Sequence, residues 1–162
     1  MNGKHQVTRT VEVAAHPAAI WGVIADSALL PQWAGVVTDV TYLGDKEEGV
    51  GMTRHCNVEL GGRMGTMTER CVEFIPDRRA GYVVDDDTLG FHRMLRDYGF
   101  TITLDPRSDQ TTMLRIDTYY TPRNPLYALL NRLVLQQRMR KLVGGLLQGL
   151  KQISERRGAQ PA

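Results

Sequence analysis

The feature that most constrains the fold is a change of hydrophobic period at one place in the chain. From Val36 to Thr121 apolar and polar residues alternate in short runs divided by turn signals. After Asn124 the pattern turns helical for about thirty residues. A helix with one apolar stripe and a sheet with one apolar face must each bury that surface, and each is the natural cover for the other. The chain is therefore predicted to be α+β, a curved antiparallel sheet wrapped around a long C-terminal helix.

Punctuation sets the number of strands. Residues 6–14 alternate, with Val7, Arg9, Val11 and Val13 on one side and Thr8, Thr10 and Glu12 on the other. Pro17 sits at a first helical position ahead of Ile20, Trp21 and Ile24. Asp26 or Ser27 caps a second short helix that Pro31 keeps short and that reaches about Trp33. Turn signals at Gly44-Asp45, Gly49 to Gly51, Gly61-Gly62, Pro76-Asp77, Asp85 to Gly90 and Asp105 to Asp109 divide the middle of the chain, and seven strands are expected in all. In the final helix Leu135, Met139, Leu142, Val143, Leu146, Leu150 and Ile153 form one stripe. Leu126, Leu129, Leu130 and Leu133 fall on a different face. That mismatch predicts a kink or break near Leu133–Leu135, or a separate role for the first turns, against the sheet, a partner or a membrane. Residues 1–157 read as one domain and 158–162 as a loose tail.

Composition narrows the function. Of 162 residues, 42% are hydrophobic and 23% charged, as in ordinary globular proteins. A net charge of +2 is too small to imply a nucleic-acid partner, and Arg138, Arg140 and Lys141 read as a solvated helix face. No apolar run approaches the ~20 residues of a spanning helix. Met1 to Thr10 is polar and lacks a signal-peptide core, so a cytoplasmic location is expected. Cys56 and Cys71 fit a reducing compartment. CxxC, HExxH, phosphate-loop and nucleophile-elbow patterns are absent, and the four histidines are scattered, so neither a metal nor a cofactor is expected.

The Gly61-Gly62 turn fixes a register: Leu60 opposite Arg63, Val58 opposite Gly65, Cys56 opposite Met67, Arg54 opposite Glu69 and Met52 opposite Cys71. Met52, Cys56, Val58, Leu60, Met67 and Cys71 then share the inward face. The two cysteines stand about four ladder positions apart, too far for a disulfide. Arg54 and Glu69 meet in the middle of this apolar face. A charged pair there is costly unless it is mutually satisfied or borders a wet cavity, so it reads either as a structural ion pair or as a polar anchor in a pocket. In 92–104, His92, Met94, Arg96, Tyr98, Phe100, Ile102 and Leu104 share a face, as do Leu114, Ile116, Thr118 and Tyr120 in the last strand. The inner surface grades from a greasy end to a polar end, which suits an amphiphilic ligand. The bland alternative makes Tyr98 and Tyr120 core tyrosines and lets Arg96 snorkel. The expected ligand-binding residues are Met52, Cys56, Met67, Cys71, His92, Met94, Tyr98, Phe100, Thr118 and Tyr120 from the sheet, with Met139, Val143 and Leu146 from the helix.

Several stretches carry a family likeness over nearly the whole chain: Val11-Glu12-Val13-Ala14-Ala15-His16-Pro17-Ala18-Ala19-Ile20-Trp21, Ala25-Asp26 to Pro31-Gln32-Trp33, Gly49-Val50-Gly51, Glu69-Arg70-Cys71-Val72-Glu73 and Thr121-Pro122-Arg123-Asn124-Pro125-Leu126. In their order and spacing the sequence resembles the START-related helix-grip superfamily (SRPBCC), in its polyketide cyclase/dehydrase-like or lipid-transport-like branch. His16 departs from the small capping residue usual there. The resemblance implies a cavity between sheet and C-terminal helix that binds a lipid, polyketide, quinone or similar molecule. Some members cyclise or dehydrate polyketides, though no family-wide catalytic motif carries over. On that alternative Glu69 is the acid or base, Arg54 and Arg96 steady negative charge, and the tyrosines orient oxygens. A third expectation is an interaction module at a membrane or protein surface. The chain is expected as a monomer or homodimer.

Overall fold

A computed structural model describes residues 2–158. The chain opens with strand β1 (His5–Val13), helix α1 (Pro17–Ala25), a 3₁₀ turn (Ser27–Leu29) and helix α2 (Leu30–Trp33). Strands β2 (Val37–Leu43), β3 (Thr53–Leu60), β4 (Arg63–Ile75) and β5 (Arg79–Asp87) follow. A helical turn α3 (Phe91–Met94) leads to β6 (Leu95–Ser108) and β7 (Thr111–Pro122). The C-terminal helix runs as α4 (Pro125–Leu130), a π-helical turn (Asn131–Leu135) and α5 (Gln136–Gly158).

All seven strands form one antiparallel sheet in the order β1-β7-β6-β5-β4-β3-β2. Strands β2 to β7 pair with their neighbours in sequence, and only β1 crosses to pair with β7. Helix α5 packs on β1 and on α1 and α2, closing the concave side. This is the α+β architecture expected from the change of period, in the helix-grip form that the family resemblance implies.

Local chemistry explains the elements. Gly61 and Gly62 both adopt positive φ, 59° and 76°, as a tight two-residue hairpin turn requires. The β3–β4 register is the expected one, with Arg54 opposite Glu69 and Cys56 opposite Met67. His16 caps α1 in place of a small residue: its Nδ1 accepts from the Ala18 N–H at 3.2 Å. Asp26 caps the 3₁₀ turn through the Ala28 N–H. Asn124 caps α4 through the Tyr127 N–H.

The helix stripe changes phase at the π turn, where a break was expected near Leu133–Leu135. A buried polar knot holds that turn. The Tyr120 hydroxyl donates to Asn131 Oδ1 at 2.7 Å, and Gln6 Oε1 accepts from Asn131 and Gln136 side-chain amides at 3.2 and 3.1 Å. Further along, Gly149 lies against the Trp33 carbonyl, where a Cβ would collide with backbone. That glycine lets α5 approach α2 closely. Gly158 ends α5, and the rest of the expected tail lies outside the described residues. Among the described residues no helix is long and apolar enough to cross a membrane.

Two local expectations are overturned. Residues 92–94 were expected to begin a strand, but they belong to α3. The buried Asp87 carboxylate accepts the N–H groups of Gly90, Phe91 and His92, which winds this stretch into a helical turn. Arg96 was expected on the inner face, but it is exposed. Asp97 takes φ 55° and the β6–β7 register shifts between Arg96 and Gly99, so the strand alternation restarts beyond the bulge.

Candidate functional site

The sheet and helix enclose two adjoining hollows. The inner one, of about 80 Å³, lies between α2, the concave sheet and α5. Arg54, Glu69, Tyr98, Phe100, Ile102, Ile116 and Thr118 line it from the strands, Leu30, Trp33 and Ala34 from α2 and its C-cap, and Met139, Leu142, Val143 and Leu146 from α5; Val36 and Val37 complete it. The outer one, of about 680 Å³, is bounded by Leu60, Gly61 and Arg63 at the β3–β4 turn, by Leu89, Phe91 and Met94 around α3, and by the start of the long helix. Met139 and Leu142 line both hollows and so form the partition between them. Small-molecule pockets commonly measure roughly 300–1,000 Å³. The outer hollow is in that range, and the inner one is a smaller neighbour that shares Met139 and Leu142 with it.

The polar wall of the inner hollow is the Arg54–Glu69 pair. Arg54 Nε and Nη2 both donate to Glu69 Oε2, at 2.9 and 2.7 Å, and Nη1 donates to Ser27 Oγ at 3.0 Å. The guanidinium carbon sits 4.3 Å from the centre of the Tyr82 ring, a cation–π contact. Ser27 is tied in turn through its N–H to the Tyr42 hydroxyl. Both charged side chains are buried. Burial opposes the Arg54 charge, but Glu69, Tyr82 and Cys56 outweigh it and hold the guanidinium above its ordinary pKa. Glu69 Oε1 receives no hydrogen bond from the described residues, so one carboxylate oxygen is spoken for and the other is free.

Other polar groups in the inner hollow are unsatisfied. Thr118 Oγ1 and Trp33 Nε1 are buried without a hydrogen-bond partner. The Tyr98 hydroxyl has only a 4.0 Å contact to Met139 Sδ. Burial, with Glu69 nearby, pushes the Tyr98 phenol well up. The residue is only partly buried, and it lines the hollow. Burial raises Tyr82 and Tyr120 to about 12, so these phenols stay protonated at neutral pH. Burial also lifts Cys56 to about 12 and Cys71 upward, which keeps both as inert thiols.

The expected site residues thus divide. Arg54, Glu69, Tyr98, Phe100, Thr118, Met139, Val143 and Leu146 meet around the inner hollow. Met52, Cys56, Met67 and Cys71 point inward but are packed into the filled core and line neither hollow. Tyr120 is buried with its hydroxyl on Asn131, and its ring stands edge-on to Tyr98 at 6.0 Å. Met94 borders the outer hollow. His92 borders a separate surface depression beside Arg63 and Arg93, its Nδ1–H donating to Asp87 Oδ2 at 2.6 Å. Arg96 is outside altogether. Sequence reasoning passed over Leu30, Trp33, Ala34, Val36 and Val37 as lining, because a short helix with a proline signals packing and carries no mark of which side it packs on. It passed over Ile102, Ile116 and Leu142 as site residues although the two isoleucines were on inward faces and the leucine was in the predicted stripe.

The family of polyketide cyclases/dehydrases and lipid transport proteins matches residues 4–155, almost the whole chain. The chain belongs to this family. No curated protein matches it in sequence. Solved structures share the fold at low identity. The Zhui aromatase/cyclase from Streptomyces sp. R1128 is 20% identical with a TM-score of 0.77, covering 95% of this chain and 94% of that one. Norcoclaurine synthase from Thalictrum flavum, in complex with dopamine and hydroxybenzaldehyde, is 14% identical with a TM-score of 0.73, covering 96% and 88%. A START superfamily protein from Mycobacterium smegmatis is 20% identical with a TM-score of 0.68, covering 95% and 97%. The family membership and these likenesses establish a helix-grip fold of the ligand-binding and polyketide-cyclase type; at such identities the structures speak for fold alone.

Proposed function

We propose that the chain binds an amphiphilic small molecule of the lipid, polyketide or quinone kind, its body in the outer hollow and one oxygen-bearing end in the inner one. The observation that carries this reading is the polar set around the inner hollow: Thr118 Oγ1 and Trp33 Nε1 buried without a partner among the described residues, the Tyr98 hydroxyl with only a sulfur contact, and a free carboxylate oxygen on Glu69. Buried polar groups without partners cost about 1–3 kcal/mol each, and a ligand bearing one or two oxygens recovers that cost. The surrounding apolar wall supplies affinity without direction, and the polar end supplies orientation. The structural likeness to an aromatase/cyclase and to a synthase holding dopamine and an aromatic aldehyde is in keeping with such a guest.

Native mass spectrometry of the purified chain, with extraction and identification of the bound species, tests the reading. A stoichiometric apolar adduct is expected, and Leu146→Trp, which fills the inner end, is expected to lose it. An adduct retained at full occupancy by the filled variant contradicts the placement.

A second reading makes the same hollow catalytic. Glu69 Oε1 is free to take a proton from a carbon next to a carbonyl, while Arg54 stabilises the enolate charge and Tyr98 orients the oxygen. Glu69→Gln keeps the side-chain shape and removes the base. Under this reading it abolishes turnover of a poly-ketone and spares its binding, and unchanged turnover removes Glu69 from the chemistry.

A further inference from the structure

The first turns of the C-terminal helix carry the largest concentration of uncovered apolar side chains. Leu126 is 71% exposed, Leu129 55%, Leu130 43%, Leu133 65% and Val134 37%. Leu126, Leu129 and Leu130 lie on α4, and Leu133 and Val134 on the π turn that follows, so together they form one exposed stretch at the start of the long helix. The π turn explains why they are uncovered: it buries Asn131 in the knot with Tyr120 and Gln6 and turns the leucines away from the sheet.

Charge around this face is of one sign. Between Arg123 and Ser154 the sequence has Arg123, Arg132, Arg138, Arg140, Lys141 and Lys151 and no aspartate or glutamate, although the whole chain carries only +2. Of these, all but Lys151 are exposed. The outer hollow opens here, since Leu130 and Val134 are part of its wall, and its other charged lining residues are Arg63, Arg138 and Lys141, again without a carboxylate.

We propose that this face docks on an anionic lipid bilayer, with the leucines in the acyl boundary, the basic side chains at the headgroups and the mouth of the outer hollow toward the membrane. Apolar burial combined with basic residues is what holds a monotopic helix at such an interface. A second copy of the chain suits the face poorly. A two-fold interface would set this basic stretch against a copy of itself, with no carboxylate between Arg123 and Ser154 or in the wall of the outer hollow to answer it. Docking itself is independent of the cavity reading, and only delivery of a guest through the mouth rests on it.

Vesicle flotation tests the docking with no guest present. The chain is expected to float with phosphatidylcholine vesicles containing about 30% phosphatidylglycerol and to float about tenfold less with phosphatidylcholine alone or at about 0.5 M salt. The triple variant Leu126→Ser, Leu129→Ser, Leu133→Ser changes only exposed residues outside both hollows. It is expected to lose flotation by about tenfold or more with an unchanged unfolding midpoint. A charge variant, Arg132→Glu with Arg140→Glu, keeps the leucines and is expected to lose the preference for anionic vesicles; it decides the matter if the triple variant does not fold. Absence of flotation with anionic vesicles, or wild-type flotation by a folded triple variant, overturns the proposal. So does light scattering that shows a dimer turned to monomer by the same three substitutions, which gives the face to a second copy. Retention of a native-mass adduct by a chain that does not float separates failure of docking from failure of the cavity reading.

Discussion

Arg54 and Glu69 are the residues on which site and stability meet. Two nitrogens of one guanidinium converge on one carboxylate oxygen, with Ser27 Oγ and the Tyr82 ring completing its shell. Breaking a buried pair leaves one charge uncompensated, so Arg54→Ala is expected to cost about 3–5 kcal/mol, read as a lower midpoint in urea. Replacing both, Arg54→Met with Glu69→Leu, is expected to recover most of that loss, because apolar residues of similar volume satisfy each other. A double variant as unstable as the single one would mean that the pair is a structural staple. Recovery of stability with loss of ligand would mean that it is held for the site. This pair was legible in the sequence because Gly61-Gly62 sets the register and the alternation sets the face. Trp33 and Thr118 were less so: an unpaired indole N–H or hydroxyl is a property of three-dimensional surroundings, and the sequence marks only that the residue is there.

At the scale of elements, the sheet, the two short helices and the long helix were all readable, since each rests on period and punctuation repeated over many residues. The exceptions are places where one side chain overrides a period. Asp87 turns 91–94 from strand into helix, and Asp97 at positive φ throws Arg96 outward. The Asp87 turn has a pH signature. Burial would raise its pKa, but hydrogen bonds from the His92 ring and from the N–H groups of His92, Phe91 and Gly90 outweigh that and hold it below the ordinary value. A carboxylate with a lowered folded pKa stabilises the fold fully above its unfolded value, about 3.9, and the contribution disappears as pH falls through the folded value. The side-chain carboxyl carbon of Asp87 is therefore expected to titrate only below pH about 4. Titration of that carbon above pH about 5 would contradict this account of the turn. Since Phe91 and Met94 border the outer hollow, loosening the turn in acid would widen its mouth.

For the whole molecule, the sheet and helix do not merely cover one another. Between them lies a graded space, wide and basic-rimmed outside and narrow with unpaired polar groups inside, divided by Met139 and Leu142. Methionine suits a partition, because its unbranched side chain has several low-energy shapes and moves aside at little cost. A guest that reaches the inner hollow from the outer one must displace these two side chains or stop short of Thr118 and Trp33. Membership of the cyclase and lipid-transport family fits such a space and leaves its guest to be read from the chain's own residues. The most direct test is methyl NMR during titration with a small aromatic probe such as toluene. The predicted result is saturable shifts at Met139, Leu142, Leu146, Ile102 and Ile116, whose methyl-bearing side chains are among those that line the inner hollow. Shifts confined to Leu126, Leu129 and Leu133 on the surface, or no saturable shift at all, would contradict it.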